Sequence, residues 1–178
     1  GVEVTSSATK STIELTGATT PATVFLNKAQ VSEVLVNAAI ATPVITVNEN
    51  SKLVLAKDQT TAVVANIDNA KGDLTTGTLL LDVNANQTTS VATGAKVDTV
   101  LLTAGKLADK DGKAQTVTIG DLDTNATATT VDTIVVGGAN DLVITKFTGT
   151  AGELISATTH TGKLTINDFT ANTKVFSG

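Results

Sequence analysis

The chain has 178 residues, a net charge of −5 and a pI near 4.7, and all 12 of its basic residues are lysines. Without a basic, Arg-rich face a nucleic-acid partner is not expected, and without any Arg a bidentate phosphate clamp is excluded. The chain has no Cys, which excludes disulfides and thiolate metal sites, and it has no apolar run of about 18 residues, so membrane insertion is not expected.

The residues available for a hydrophobic core are unusually small. Hydrophobic residues make up 41% of the chain, but there is no Trp, Tyr or Met and only four Phe. The chain also contains 35 Thr, whose β-branched side chain favours strands. Small β-branched side chains fill narrow and regular interiors well. The composition therefore favours a repetitive stack of strands over a bulky core.

Runs of β-forming residues recur along the whole chain and predict an all-β fold. The expected strands have these middle residues: Ile13, Val24, Leu35, Ile45, Val54, Val64, Leu80, Val91, Leu101, Val117, Val135, Val143, Leu154, Thr165 and Val175. Most neighbours in this series are about ten residues apart, a spacing typical of sandwiches, barrels and solenoids. Residues 27–41 also fit a helical spacing, but the strand-like Glu33 to Val36 falls on the regular interval, so a strand is expected there.

The spacing widens at three turn-rich inserts, near Ala70, Ala108 and Ala126. The first widening, at residues 69–73, is a candidate sub-boundary, but no linker composition accompanies it. We therefore expect residues 1–178 to form one elongated domain, and we interpret the chain as a fragment of a longer protein.

Asparagine residues follow or end many of the predicted strands. These residues are Asn27, Asn37, Asn48, Asn66, Asn84 and Asn167. In a β-solenoid, or β-helix, each coil turns a corner where Asn and Gly tolerate unusual backbone angles, and Asn side chains can bond along the stack. A β-solenoid is the fold expected from this pattern, and a β-sandwich is the alternative.

Two short segments resemble a known family. Residues 136–144 read VGGANDLVI and resemble a degenerate copy of the Gly/Asp-rich, calcium-binding (RTX-like) nonapeptide of proteins exported by type I secretion. Residues 164–172 read LTINDFTAN and are similar to segments near the ends of those chains. The overall composition resembles that of bacterial surface-layer (S-layer) proteins. The family repeat has one more Gly, so Asp141 comes one residue early.

The resemblance implies a calcium site at Asn140 and Asp141, with Asp132 as the nearest additional carboxylate. No required cofactor and no catalytic residue is predicted. The single histidine, His160, lies in a polar, turn-like run and is expected to be an exposed loop residue. Carboxylate pairs lack the aromatic platforms that sugar-cleaving sites use, so the chain is not expected to be an enzyme.

The expected function is that of a structural module of an extracellular bacterial surface-layer protein, which coats the cell surface by self-association of identical copies. Cell-surface polysaccharide is a further expected partner. Two alternatives remain open. One is a passenger or stalk segment of a secreted adhesin that binds through a loop such as residues 123–130. The other is the variable outer domain of a flagellin.

Overall fold

The computed structural model describes residues 2–5, 11–16, 23–40, 44–105, 115–126, 131–170 and 173–177. These residues are folded into strands joined by turns, without a helix. The strands are β1 (Val2–Glu3), β2 (Thr12–Leu15), β3 (Thr23–Leu26), β4 (Glu33–Val36), β5 (Val44–Asn48), β6 (Lys52–Leu55), β7 (Val63–Asp68), β8 (Gly77–Val83), β9 (Gln87–Thr93), β10 (Val97–Ala104), β11 (Thr116–Asp123), β12 (Thr133–Gly138), β13 (Asp141–Thr148), β14 (Leu154–His160), β15 (Leu164–Ile166) and β16 (Lys174–Ser177).

The strands form two parallel sheets that the chain visits in alternation. The odd-numbered strands lie in sequence order in one eight-stranded sheet, the odd sheet, and the even-numbered strands do the same in the other, the even sheet. Each coil of the chain therefore adds one strand to each sheet. This arrangement confirms the predicted all-β solenoid, and the sandwich alternative is not adopted.

A basic coil contains about twenty residues, twice the strand spacing seen in the sequence. The register pairs Thr23 with Val44 and Val44 with Val64. Some coils are longer, as where Leu102 pairs with Val136, because the turn-rich inserts add residues between strands. The possible sub-boundary at residues 69–73 lies between β7 and β8, and both sheets continue across it through the β6–β8 and β7–β9 pairings.

The strand predictions agree closely with the structure. All the predicted middle residues fall inside strands β2 to β16, and only the two-residue β1 was not predicted. The ambiguous segment at residues 27–41 contains strand β4 rather than a helix. The inserts near Ala108 and Ala126 fall partly outside the described residues, at 106–114 and 127–130.

The interior is a thin layer of aliphatic side chains between the two sheets. Val, Ile, Leu and Ala supply all of its apolar members except Phe147, which is fully buried. Phe147 contacts Phe169 edge to face, with ring centroids 6.0 Å apart. The small side chains expected from the composition therefore do fill this core.

The predicted core rows are only partly correct. The residues expected to form them were Val24, Leu35, Ile45, Val54, Val64, Leu80, Leu101, Val135, Ile144 and Ile166. Val24, Ile45, Val54 and Ile144 are buried, and Ile166 is half-buried.

In contrast, Leu101 is 39% exposed, while its neighbours Val100 and Leu102 are buried. Leu35, Val64, Leu80 and Val135 also lie beside the buried positions of their strands. Strands of parallel sheets are apolar on both faces, so alternation in the sequence does not reveal which face is internal.

Asparagine side chains do connect successive coils at a corner. Asn48 Nδ2 donates to the backbone carbonyl of Asn27 at 2.8 Å, and Asn27 Nδ2 donates to the carbonyl of Asn69 at 3.1 Å. Both Asn27 and Asn48 are buried. These bonds satisfy backbone carbonyls that leave the sheet at the corner.

A second corner is closed by two fully buried glutamines. Gln59 Nε2 donates to the carbonyls of Ala38 and Lys57, both at 2.9 Å, and its Oε1 accepts from the backbone N–H of Ile40 at 2.9 Å. Gln87 repeats this one coil later: its Nε2 donates to Lys57 O at 3.2 Å, and its Oε1 accepts from the N–H of Gln59 at 3.3 Å. The two amides therefore join three coils.

Replacing Gln59 with Ala should destabilise the fold. The change leaves the buried N–H of Ile40 and the part-buried carbonyl of Ala38 without these partners, and a buried unsatisfied group costs about 1–3 kcal/mol. The expected result in urea-induced unfolding is a lower midpoint. The same substitution at the exposed Gln30 is the control and should leave the midpoint nearly unchanged. Equal effects at the two positions would contradict the structural role of Gln59.

The Gly137-Gly138 pair lies at the end of β12, where the chain turns towards the other sheet. Gly138 has φ of +102°, and a Cβ at this position would lie 2.9 Å from the carbonyl oxygen of Ala104. At Gly137 the nearest atom to an added Cβ would be Thr159 Oγ1 at 4.0 Å. Only the second glycine is therefore required by the corner.

These neighbouring glycines allow a matched comparison. Gly138→Ala should lower the free energy of unfolding by about 1 kcal/mol or more, because it combines a positive φ with a close backbone contact. Gly137→Ala should have little effect or a small stabilising one. Thermal melts of both variants would check this, and a larger loss for Gly137→Ala would refute the assignment.

Candidate functional site

The structure places Asp132 apart from the other two predicted calcium ligands. Asp132 is exposed and directly precedes β12, whereas Asn140 and Asp141 follow that strand. A strand advances about 3.3 Å per residue, so the six residues of β12 separate the two groups by roughly 20 Å. Asp132 therefore does not join Asn140 and Asp141 in one cluster.

The Asn140 and Asp141 side chains hold neighbouring coils. Asn140 Oδ1 accepts from the N–H of Gln115 at 3.0 Å, and Asn140 Nδ2 donates to the carbonyl of Gly105. Asp141 Oδ1 accepts from the N–H of Lys163 at 2.8 Å. Within the described part of the chain, no three His, Cys, Asp or Glu side chains come together as a metal-binding group. Calcium at these residues stays a prediction.

His160 is not in an exposed loop, contrary to expectation. It is the last residue of β14 and is half-buried, with Nδ1 3.1 Å from the carbonyl oxygen of Gly137. Its Nε2 is buried without a hydrogen-bond partner in the structure. The ring thus packs against the Gly137-Gly138 corner of the preceding coil.

Glu153 is a buried carboxyl at the corner that precedes β14. Its Oε1 accepts from Thr124 Oγ1 at 2.8 Å and from Thr150 Oγ1 at 3.3 Å, while Oε2 is buried without a hydrogen-bond partner. Burial raises the pKa of Glu153, the hydroxyl of Thr124 opposes this effect, and the negative charge of Asp123 adds to it. The protonated acid is therefore favoured in the fold relative to an exposed glutamate.

A second acid with a raised pKa lies on the outer face of the even sheet. Burial raises the pKa of Asp82, and the ammonium of Lys52, 3.6 Å away, opposes that shift. Lys52 also lies 3.4 Å from a carboxylate oxygen of Glu33. Lys52 on β6 thus interacts with one acid on each of the flanking strands, β4 and β8. These ionic contacts stabilise the outer face of the sheet.

The outer face of the even sheet carries two aligned columns beyond this ionic group. Leu80, Leu101 and Val135 stack on β8, β10 and β12, and we call them the apolar column. Thr78, Thr99 and Thr133 stack two residues earlier on the same strands and form the threonine column. Adjacent strands are about 4.8 Å apart, so each column is a regular row of side chains. This surface is the candidate functional site.

Leu80, Leu101 and Val135 were expected in the core, so this surface was not predicted. A signal was present in the sequence, because Thr-x-Leu or Thr-x-Val occurs at Thr78, Thr99 and Thr133. A recurring pair of residues two positions apart indicates one face of a strand. These residues were placed on the inner face because the residue between the Thr and the Leu or Val of each pair is also apolar.

The loop considered for adhesion, residues 123–130, is described only as far as residue 126. The described residues include no helix of a length and apolarity suited to crossing a membrane.

Comparison with models of protein families, with curated proteins and with solved structures gave no match in any of the three. A functional proposal therefore depends on the residues of the structure itself, above all on the apolar and threonine columns of the even sheet.

The raised pKa of Glu153 predicts how stability changes with pH. A carboxyl whose pKa is raised by folding makes its full contribution to stability below its pKa in the unfolded chain, about 4.3. This contribution is lost as the pH rises through the pKa of the group in the folded protein. Glu153→Gln keeps a neutral group at all pH values. This variant should therefore be more stable than the parent at pH 7, with the difference shrinking towards pH 4.

Urea unfolding at several pH values would measure this effect. Asp168→Asn removes the same charge from an exposed position and serves as the control. If Glu153→Gln follows the same stability profile as Asp168→Asn, the buried acid does not have the predicted role.

Proposed function

We propose that this chain is a structural module of an extracellular bacterial surface layer, where identical copies associate into a coat on the cell. The observation that carries this proposal is the apolar column on the outer face of the even sheet. The aligned row of Leu80, Leu101 and Val135 gives a second copy a regular apolar surface to pack against. Contact with another copy removes these side chains from water, which favours association.

The chemistry of the remaining surface supports a structural role. Lysines and acids are paired on it, as between Lys146 and Asp121 at 3.3 Å, so the charged groups stabilise the sheets. Asp121 also accepts from Thr148 Oγ1 at 3.0 Å. With a composition free of Cys and rich in Thr, these features suit a durable extracellular array.

The threonine column supplies hydroxyl groups beside the apolar column. Hydroxyls can donate and accept hydrogen bonds, and this makes cell-surface polysaccharide a reasonable second partner in the proposed coat. In this arrangement the apolar column binds a second copy and the threonine column binds sugar.

Leu101 is the residue whose substitution tests this function most directly. It is 39% exposed at the centre of the apolar column, so Leu101→Asp should preserve the fold while placing a charge in the contact. We expect the variant to weaken self-association by tenfold or more, since an unpaired charge opposes burial. Sedimentation velocity over a wide range of concentrations would measure this change.

Thr145→Asp is the matched control, because Thr145 is exposed on the odd sheet, away from the apolar column. Circular dichroism would establish that both variants are folded. A parent protein that remains monomeric at millimolar concentration, or an equal loss of association in both variants, would overturn the proposal.

A further inference from the structure

A β-bulge interrupts the pairing of β9 with β11 in the middle of the odd sheet. Ile119 is aligned with Gln87 and Asp121 with Ser90, so two residues of β9 lie opposite the single residue Gly120. A Cβ on Gly120 would lie 2.6 Å from a backbone carbonyl oxygen of β9, so this position requires glycine. A bulge bends its strand and redirects the side chains beside it.

The bulge borders a groove on the outer face of the odd sheet. The groove has a volume of about 670 Å³, which is typical of sites that hold small organic ligands. β9 and β11 pair with β7 and β13 on their other sides, so the groove lies inside the sheet and does not depend on where the sheet ends. Its lining includes Asn86, Thr88, Thr89, Ser90, Thr118 and Asp121.

The β9 side of the groove is held in place by the turn between β6 and β7. Thr88 donates from both its backbone N–H and its hydroxyl to the carboxylate of Asp58, at 2.9 and 3.2 Å. The hydroxyl of Thr89 lies 3.1 Å from the carbonyl oxygen of Gln59 and 3.0 Å from that of Thr61. These bonds fix the bulge before any ligand arrives, which lowers the entropy cost of binding.

Two hydroxyls in the groove are not used by the fold. Ser90 Oγ is buried and has no hydrogen-bond partner in the structure. The backbone N–H of Thr118 donates to Asn86 Oδ1 at 2.9 Å, but the Thr118 hydroxyl makes no hydrogen bond within the described part of the chain. A buried polar group without a partner costs free energy, so a ligand that bonds to Ser90 regains part of that cost.

The groove is close to electrically neutral. Among the described residues that line it, Asp121 is the one charged group, and Lys146 Nζ lies 3.3 Å from its carboxylate. The same carboxylate accepts from Thr148 Oγ1 at 3.0 Å. A charged ligand therefore finds no unpaired opposite charge in the groove, and a neutral ligand is favoured.

The polar groups of the lining suit a ligand that is rich in hydroxyls. The amide of Asn86 and the hydroxyls of Ser90 and Thr118 can both donate and accept hydrogen bonds, as sugar hydroxyls do. The methyl groups of the threonines offer apolar contacts to the C–H groups of a sugar ring. The strands that form the groove are paired on both sides, so a peptide cannot bind here by adding a strand.

We propose that this groove binds a segment of a neutral polysaccharide, with Asn86, Ser90 and Thr118 bonding to its hydroxyls. The inference goes beyond the proposed function, whose contacts lie on the even sheet. The outer faces of the two sheets point away from each other, so a sugar chain held on the odd sheet leaves the apolar column free. One molecule can then bind a polysaccharide on one face and a second copy on the other.

The test is electrophoresis of the native protein in gels that contain a soluble polysaccharide. The neutral probes are dextran, mannan and galactan, and the acidic probe is polygalacturonate. We expect at least one neutral polysaccharide to retard the protein and polygalacturonate to leave its mobility unchanged. No retardation by any of the three neutral probes would overturn the proposal, as would equal or stronger retardation by polygalacturonate.

The double variant Ser90→Ala, Thr118→Val removes the two unused hydroxyls and keeps side chains of similar size. It should weaken binding about tenfold, because two hydrogen bonds to the ligand are lost. The midpoint of urea-induced unfolding should stay unchanged or rise, because no internal hydrogen bond of either side chain is removed.

The matched control is Ser156→Ala with Thr116→Val, which removes the same two types of hydroxyl outside the groove. Thr116 is exposed on β11, and Ser156 lies on β14 of the even sheet. This variant should bind the polysaccharide as the parent does. Equal losses of binding in the two double variants would contradict a site in the groove.

A third variant, Thr99→Val with Thr133→Val, separates the groove from the threonine column. If this variant loses retardation while Ser90→Ala, Thr118→Val keeps it, the sugar binds the even sheet, so the groove fails and the proposed function stands. If only Ser90→Ala, Thr118→Val loses retardation, the groove stands. That result does not depend on whether Leu101→Asp changes self-association, so the two proposals can fail independently.

Discussion

The alignment of backbone hydrogen bonds from coil to coil is the constraint on which this structure depends. Each strand pairs in parallel with the strand one coil away, and a slip of one residue would exchange the inner and outer faces of that strand. Loops of different lengths are accommodated between strands, because the strand after each loop returns to register. The longer coil between Leu102 and Val136 shows this tolerance.

Corner side chains help to maintain that register. Gln59 bonds to backbone groups of its own coil and of the preceding one, and Asn48 bonds back to Asn27. Such amides satisfy buried backbone groups where no sheet partner is available. A thin aliphatic core cannot specify register by the shape of large side chains, so these polar contacts give the fold part of its specificity.

The sequence was sufficient to predict the strands and the solenoid, because a regular interval between β-forming runs reflects the coil length. It was insufficient to predict which side of each strand faces inward. Leu101 and its buried neighbours Val100 and Leu102 are equally apolar, so only the packing of the two sheets distinguishes them. The buried glutamines were also not predicted, since Gln is mostly exposed to solvent in proteins.

The surface columns of the candidate site were not predicted, for the same reason. The predicted ligands Asn140 and Asp141 are bonded to neighbouring coils, Asp132 lies at the other end of β12, and calcium at these residues stays a prediction. Residue types alone do not reveal whether a polar side chain binds its own backbone or an external group. The apolar column became apparent only after the register was known.

Because every inner strand pairs only with the strands one coil before and after it, the described part of the chain has no central nucleus that all of its strands contact. Cooperativity in such an array is transmitted between nearest neighbours and is greater where the junction between adjacent coils is stronger. A weakly paired junction can therefore open locally while the coils on either side of it stay paired.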